Sequence, residues 1–233
     1  IAKENNIHLI EDCAHSLGAT LNGKMTGSFG TAGCFSFYPT KIMTTCEGGI
    51  ITTNNEKIAN KCRLLINHAI SENAFEREES GNIEYDVIDI GYNYRMNEIQ
   101  ASLGISQLEQ INQFIKMRKN AAEIYDDGFN GQELTLMNKD SNRNNNHYLY
   151  MIRIKDQFGV KRNELAKKLR EKGIGTSLHY KPLHLMSAYK KYYEKNKKFE
   201  ISERIYKDSL CLPMFPGITE KQQEYVIKNI VKK

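Results

Sequence analysis

The chain has 233 residues, 40% of them hydrophobic, which is enough to bury a core in one large domain or in two unequal lobes. Its formal charge of +5 is spread along the chain, and the lysine-rich stretch "YKKYYEKNKKFE" (189–200) also carries acids and aromatics, so it reads as a solvated helix face rather than a nucleic-acid footprint. The five cysteines form no CxxC pair, which excludes a zinc knuckle or disulfide framework and points to a reduced, cytoplasmic compartment, and no apolar run approaches the ~18 residues of a membrane span.

The chain opens on "IAKENNIHLIEDC", which reads as a helix tail feeding a strand with no initiator methionine, as though cut from something longer. "IHLIED", "GCFSFYP" and "GGIITTN" each have the short apolar run of a buried strand with Gly, Pro or acids at the edge. A helix follows "TNNEK", with Asn54 or Asn55 as its cap and Ile58, Cys62, Leu65 and Ile66 on one face. From Met96 to about Tyr125 a single long helix is predicted, with Ile99, Leu103, Ile105, Leu108, Ile111 and Ile115 at helical spacings, long enough to join two lobes. "NKDSNRNNNH" (138–147) is a polar loop leading into the strand "YLYMIRI". Then come a helix over "NELAKKLREKGIG", with Leu165 and Leu169 inward and Gly173 just past its end, and the strand-like "TSLHY". The extended "SLCLPMFPGIT" and a closing helix "EKQQEYVIKNIVKK" complete the chain. Strands followed by helices point to an α/β layer.

Two side chains at strand ends can carry chemistry. Lys41 follows an apolar strand, where an amine can act as a nucleophile toward a carbonyl; taken alone it is more simply a solvated loop lysine. Asp12 ends "IHLIED", so its carboxylate projects from the carboxyl end of a strand, where open α/β sheets place ligand groups. A lysine for a carbonyl and an acid for a ring nitrogen are the two protein groups that pyridoxal phosphate chemistry requires.

Four segments in order, "IEDCAHSLGA", "GSFGTAGCFSFYPTKIMTTCEGGIITTN", "GYNYRMNEIQASLGISQLEQI" and "LHYKPLHL", resemble the sugar aminotransferases of the DegT/DnrJ/EryC/StrS family, and they cover nearly the whole chain. The resemblance implies an α/β fold, the pyridoxal-phosphate-dependent transferase fold type I (aspartate aminotransferase-like). Residues 1–125 would be the later part of the large domain, N-terminally incomplete, and 126–233 a smaller α+β C-terminal domain. It implies Lys41 as the catalytic lysine that holds pyridoxal 5'-phosphate covalently and moves the proton, with Asp12 at the pyridine nitrogen, His15 beside the ring and Ser36 on the phosphate. Alternation puts Ser36 on one strand face with Cys34 and Tyr38, and leaves Phe35 and Phe37 for packing. Asn93 would reach the phosphate of a partner subunit's cofactor, so the family pattern implies a homodimer with shared sites; the plainer role for Asn93 is to turn the chain before the long helix. Tyr38, His179 and Tyr180 would face a nucleotide-linked keto sugar, with Pro182 fixing the bend, and L-glutamate is the expected amino donor. No metal, nucleic acid or membrane is expected.

The sequence departs from the family pattern at three places. Cys46 stands where the family often has glycine, which matters if that residue needs a positive φ, and Tyr38 stands where histidine is common. The family's Gly-Thr or Gly-Ser phosphate loop and ring-stacking aromatic precede the segment where this chain begins. Three other readings compete. The dehydratase variant of the family carries histidine in place of Lys41. A binding or regulatory module without turnover, or an incomplete chain left by truncation, would show no donor-dependent change in the bound cofactor. A dinucleotide-binding domain lacks its GxGxxG, because Gly27, Gly30 and Gly33 have the wrong spacing and precede a strand.

Overall fold

The computed structural model describes residues 1–71, 78–79, 81, 83–137, 140–193 and 198–231. Parts of the predicted 138–147 loop and of the lysine-rich 189–200 stretch therefore lie outside the described residues. Two compact units are present, one of residues 1–112 and 142–145, the other of 113–141 and 146–233.

The first unit is built on a three-stranded sheet. Strands β1 (Ile10–Asp12) and β4 (Ala32–Ser36) run parallel, with Asp12 opposite Cys34, and β5 (Gly49–Thr52) pairs antiparallel with β4, with Ser36 opposite Gly49. The three predicted strands are thus present but shorter than their apolar runs, and β1 and β5 are mostly exposed rather than buried, with Ile10, Ile50 and Ile51 all exposed. Short strands β2 (Thr20–Leu21) and β3 (Lys24–Met25) form a second small sheet with β7 (Arg143–Asn144), which lies inside the predicted polar loop. Helix α1 (Glu56–Ile66) starts where expected: the Asn55 side chain accepts from the backbone N–H groups of Lys57 and Ile58. Ile58, Cys62 and Leu65 are half-buried, whereas Ile66 is exposed.

The predicted long helix is two helices. α2 (Glu98–Glu109) opens with a capping box between Asn97 and Gln100, and ends at Gln110, whose N–H turns back to the carbonyls of Gln107 and Leu108. α3 (Ile111–Gly128) follows directly. Ile99, Ile105 and Leu108 are exposed rather than core-facing; the buried residue of α2 is Gly104. A Cβ there would stand 2.9 Å from Thr45 Cγ2, so glycine lets the helix approach the loop that carries Lys41.

The second unit packs α3 and two further helices, α4 (Arg162–Glu171) and α6 (Glu220–Ile230), with the antiparallel sheet β6 (Leu134–Thr135), β8 (Tyr150–Ile154) and β9 (Ser209–Leu212). α5 (Glu200–Asp208) runs directly into β9. Tyr125, Phe129, Ile152, Leu165, Leu169 and Val226 form part of one core. Leu165 and Leu169 are the inward positions that the periodicity predicts, and Gly173, at φ +73°, closes α4 as predicted. Two buried polar groups tie the elements together: the Gln223 amide donates to the Ala121 carbonyl at 2.7 Å, and Arg118 Nη1 donates to the carbonyls of His147, Tyr148 and Met214. Burial lowers the Arg118 guanidinium to about 10, which still leaves it charged at neutral pH. "TSLHY" contributes one bridge, between Ser177 and Cys211.

Candidate active site

The register of β1 on β4 places Asp12 opposite Cys34, so both side chains stand on one face of the sheet. Ser36 shares that face two residues, about 7 Å, further along β4. Asp12 is exposed, and its Oδ1 accepts from the Ala14 N–H at 3.0 Å, an Asx-type bond across the turn after β1. His15 lies half-buried in the same turn. Ser36 Oγ accepts from the Tyr38 N–H at 3.3 Å, which leaves its own proton to donate.

Beyond β4 the chain turns through Tyr38 to Lys41, and the Lys41 N–H donates to the Tyr38 carbonyl at 2.9 Å. Lys41 is half-buried while Ile42 and Met43, immediately after it, are buried, so the chain here is anchored and not a free loop. Phe37 is the hub of that anchoring. Its N–H donates to Gly48, and its carbonyl accepts from the Thr45 N–H and the Thr44 hydroxyl. α2 holds the far side: the Gln107 side chain accepts from the Thr44 N–H at 3.3 Å, and the Gln100 amide donates to the Glu47 carbonyl at 3.0 Å. The sequence reading does not identify Thr44, Thr45, Gln100 or Gln107, because their bonds run to backbone atoms up to 63 residues away.

Glu11 is also missed by that reading. It points to the face opposite Asp12 and accepts three backbone N–H groups, from Gly27 at 2.8 Å, Phe29 at 2.6 Å and Gly30 at 2.7 Å. The signal was present in "GSFG", a tight loop whose amides need an acceptor. Burial pushes the Glu11 carboxyl up, but the bonds from Gly30, Gly27 and Phe29 and the charge of Lys24 pull it down and prevail. A lowered carboxyl stabilises the fold above its unfolded value, and that contribution disappears as pH falls through the folded value. Glu11→Gln therefore costs about 2 kcal/mol at pH 7 and flattens the acid limb of the stability curve. Urea unfolding at pH 7 and pH 3 checks this; an equal loss at both pH values contradicts it.

Cys46 has φ +66°, the left-handed conformation that the comparison with glycine anticipated. Its side chain is exposed, so Cys46→Gly relieves strain without removing packing. We expect a gain of about 1 kcal/mol, a rise in Tm of about 2–4 °C. A thermal melt that does not move contradicts it.

Asn93 lies in a separate segment. It bridges to Asn67, and its side-chain oxygen accepts from Arg95 Nη2 at 3.5 Å while Arg95 Nη1 donates to Asn67. His179 and Tyr180 belong to the second unit, where the Ser177 hydroxyl meets His179 Nδ1 at 3.4 Å and the two rings meet edge-on at 4.5 Å. Tyr180 is exposed, as is Tyr38 in the first unit. Among the described residues no three His, Cys, Asp or Glu side chains cluster as metal ligands, and no helix is long and apolar enough to cross a membrane.

An acceptor carboxylate, a donor hydroxyl and, just past them, an anchored amine match the ring nitrogen, phosphate and aldehyde of pyridoxal phosphate, so this donor set fits that group. The fold is that of the fold type I pyridoxal-phosphate-dependent sugar aminotransferases: the pneumococcal sugar aminotransferase Spr1654, solved in PMP, PLP and apo forms, superimposes with a TM-score of 0.89 at 29% identity in its PMP form, over 98% of this chain and 59% of that one. The DegT/DnrJ/EryC1/StrS aminotransferase family model matches residues 1–231, and the chain belongs to that family, whose aminotransferases bind pyridoxal phosphate. Relatives include the uncharacterized protein MJ1066 of Methanocaldococcus jannaschii, 39% identical over all of this chain and 61% of its own length. Another is the UDP-4-amino-4,6-dideoxy-N-acetyl-beta-L-altrosamine transaminase of Campylobacter jejuni, 33% identical over 97% of this chain and 58% of its own length. The chain thus spans about 60% of the length of the relatives it matches.

Proposed function

We propose that this chain carries the catalytic lysine of a pyridoxal-phosphate-dependent nucleotide-sugar aminotransferase, which moves an amino group from L-glutamate to a nucleotide-linked keto sugar in the cytoplasm for polysaccharide biosynthesis. The observation that supports it most is the common face of Asp12 and Ser36, with Lys41 in the anchored turn beyond.

Bound pyridoxal phosphate supplies an electron sink for breaking the C–H bond beside an amino group. Asp12 accepts from the Ala14 N–H through one oxygen, and its other oxygen would accept the pyridine N–H proton and keep it on the ring. Ser36 Oγ donates to the phosphate. Lys41 Nζ would hold the group at its aldehyde carbon and, once the amino donor has taken that place, would carry a proton from the donor's α-carbon to the carbon on the other side of the donor nitrogen. In the second half Lys41 Nζ moves protons in the reverse order, so the sugar carbon receives the amine. His15 packs beside the ring, and Tyr38, His179 and Tyr180 bind and orient the sugar nucleotide. Asn93 of a second copy completes the phosphate site, which makes the working unit a homodimer of a large domain (1–125) and a small domain (126–233). The Campylobacter relative, a transaminase of a UDP-linked amino sugar, supports the substrate class.

The two halves can be assayed apart. With cofactor and L-glutamate alone, the protein should release 2-oxoglutarate stoichiometrically; after the donor is removed, a nucleotide 4-keto sugar should gain an amine by mass. Cofactor bound with no 2-oxoglutarate released would favour the binding-module reading instead.

A further inference from the structure

The second unit holds a cavity of about 440 Å³ that has no place in the reaction above. Its walls are the end of β8, the 3-10 turn that follows it, the first turn of α4 and the last turn of α5. A smaller cavity of about 230 Å³ adjoins it and shares Ile154, Lys155, Asp156 and Asp208. Six cationic side chains line the two, Arg153, Lys155, Lys161, Arg162, Arg204 and Lys207, against two acids, Asp156 and Asp208.

Internal partners absorb only part of this charge. Lys155 faces Glu133 at 3.4 Å, and Arg153 faces Asp208 at 3.9 Å. Arg162 lies against the Tyr206 ring at 5.2 Å, a cation–π contact that brings no counter-charge. Lys161, Arg204 and Lys207 have no ion pair within 4.0 Å among the described residues. Nε of Arg153 and Nε of Arg162 are shut off from solvent, and neither has a hydrogen-bond partner. A concave surface lined by so many like charges focuses a positive potential that attracts an anion.

The local sequence reinforces this. α4 begins with Lys161 at the cap and Arg162 at the first helical position, and no side chain caps its amides. Cations at a helix N-terminus oppose the dipole, and a capping Ser, Thr, Asp or Asn would satisfy an amide where Lys161 cannot. A bound anion would reverse both penalties. Arginine forks match phosphate oxygens, and the volume exceeds what a single phosphate fills.

We propose that this double cavity binds a multiply charged phosphate, of the size of a diphosphate group. The site is built wholly from the second unit and uses none of the residues assigned to cofactor or sugar, so it stands independently of the aminotransferase reading.

The probe is inorganic pyrophosphate, titrated at low salt into the chain and into Lys161→Glu/Lys207→Glu, two exposed positions whose exchange leaves the core intact. Calorimetry reads affinity, and hydrogen–deuterium exchange reads place. We expect saturable binding, slowed exchange over residues 155–165 and 203–210, and a loss of affinity of roughly tenfold or more in the double variant. Unsaturable binding, an affinity the double variant does not change, or protection confined to residues 12–41 would overturn the proposal; the last outcome would assign the anion to the cofactor site.

Discussion

Lys41→Ala should abolish amino transfer, with a fall in turnover of roughly 10⁴-fold or more, because in the proposed reaction the same amine holds the cofactor and moves the proton in both halves. The loss should not come from unfolding. The turn is held by backbone bonds from Lys41 to Tyr38, from Thr45 to Phe37 and from Phe37 to Gly48, and by Gln107 and Gln100 of α2, none of which involves the lysine side chain. Lys41→Arg should be as inactive as Lys41→Ala despite keeping the charge, since a guanidinium does not give up its proton. Single-turnover release of 2-oxoglutarate, alongside circular dichroism of each variant, measures both parts. An arginine variant that retained a tenth of the rate would contradict the role given to Lys41.

The second large effect falls on Asp12. Asp12→Ala should lower turnover roughly 10³-fold, because an unprotonated pyridine ring is a poor electron sink and Asp12 is the acid proposed to hold that proton. Its structural cost should be small: the side chain is exposed and accepts from the Ala14 N–H at 3.0 Å, a bond whose loss costs about 1 kcal/mol. Asp12→Asn keeps that bond yet cannot carry the charge, so it should track the alanine variant in rate and the parent chain in stability. Steady-state turnover beside chemical denaturation separates the two; an asparagine variant of normal rate would remove Asp12 from the site.

Local features of the fold were legible from residues alone, whereas the site roles came from the family resemblance, and the reasons differ by element. The period-2 alternation of a strand fixes faces once a strand is recognised, so Ser36 and Cys34 could be placed on one face and Phe37 on the buried one. Asn55 and Gly173 were readable because helix ends are set by local chemistry. Glu11 was not, since its partners lie 16 to 19 residues on and are backbone amides that leave no side-chain signature. The pairing of β7 with β2 is a contact across more than 120 residues that no local pattern encodes. The break at Gln110 escaped because no proline or glycine marks it, and Ile99, Ile105 and Leu108 misled because periodicity reports that a face is apolar, not that it is covered. Cys46 shows the reverse case: comparison with a glycine position foresaw a backbone conformation that the residue type argues against.

The central claim is that Lys41 is the lysine that holds the cofactor. The most direct measurement is to incubate the chain with pyridoxal phosphate, reduce the mixture with borohydride, digest it, and find by mass spectrometry which lysine carries the added group. The label is expected on the peptide containing Lys41, absent from Lys41→Ala and diminished when L-glutamate is added before reduction. Label on another lysine with Lys41 unmodified would contradict it.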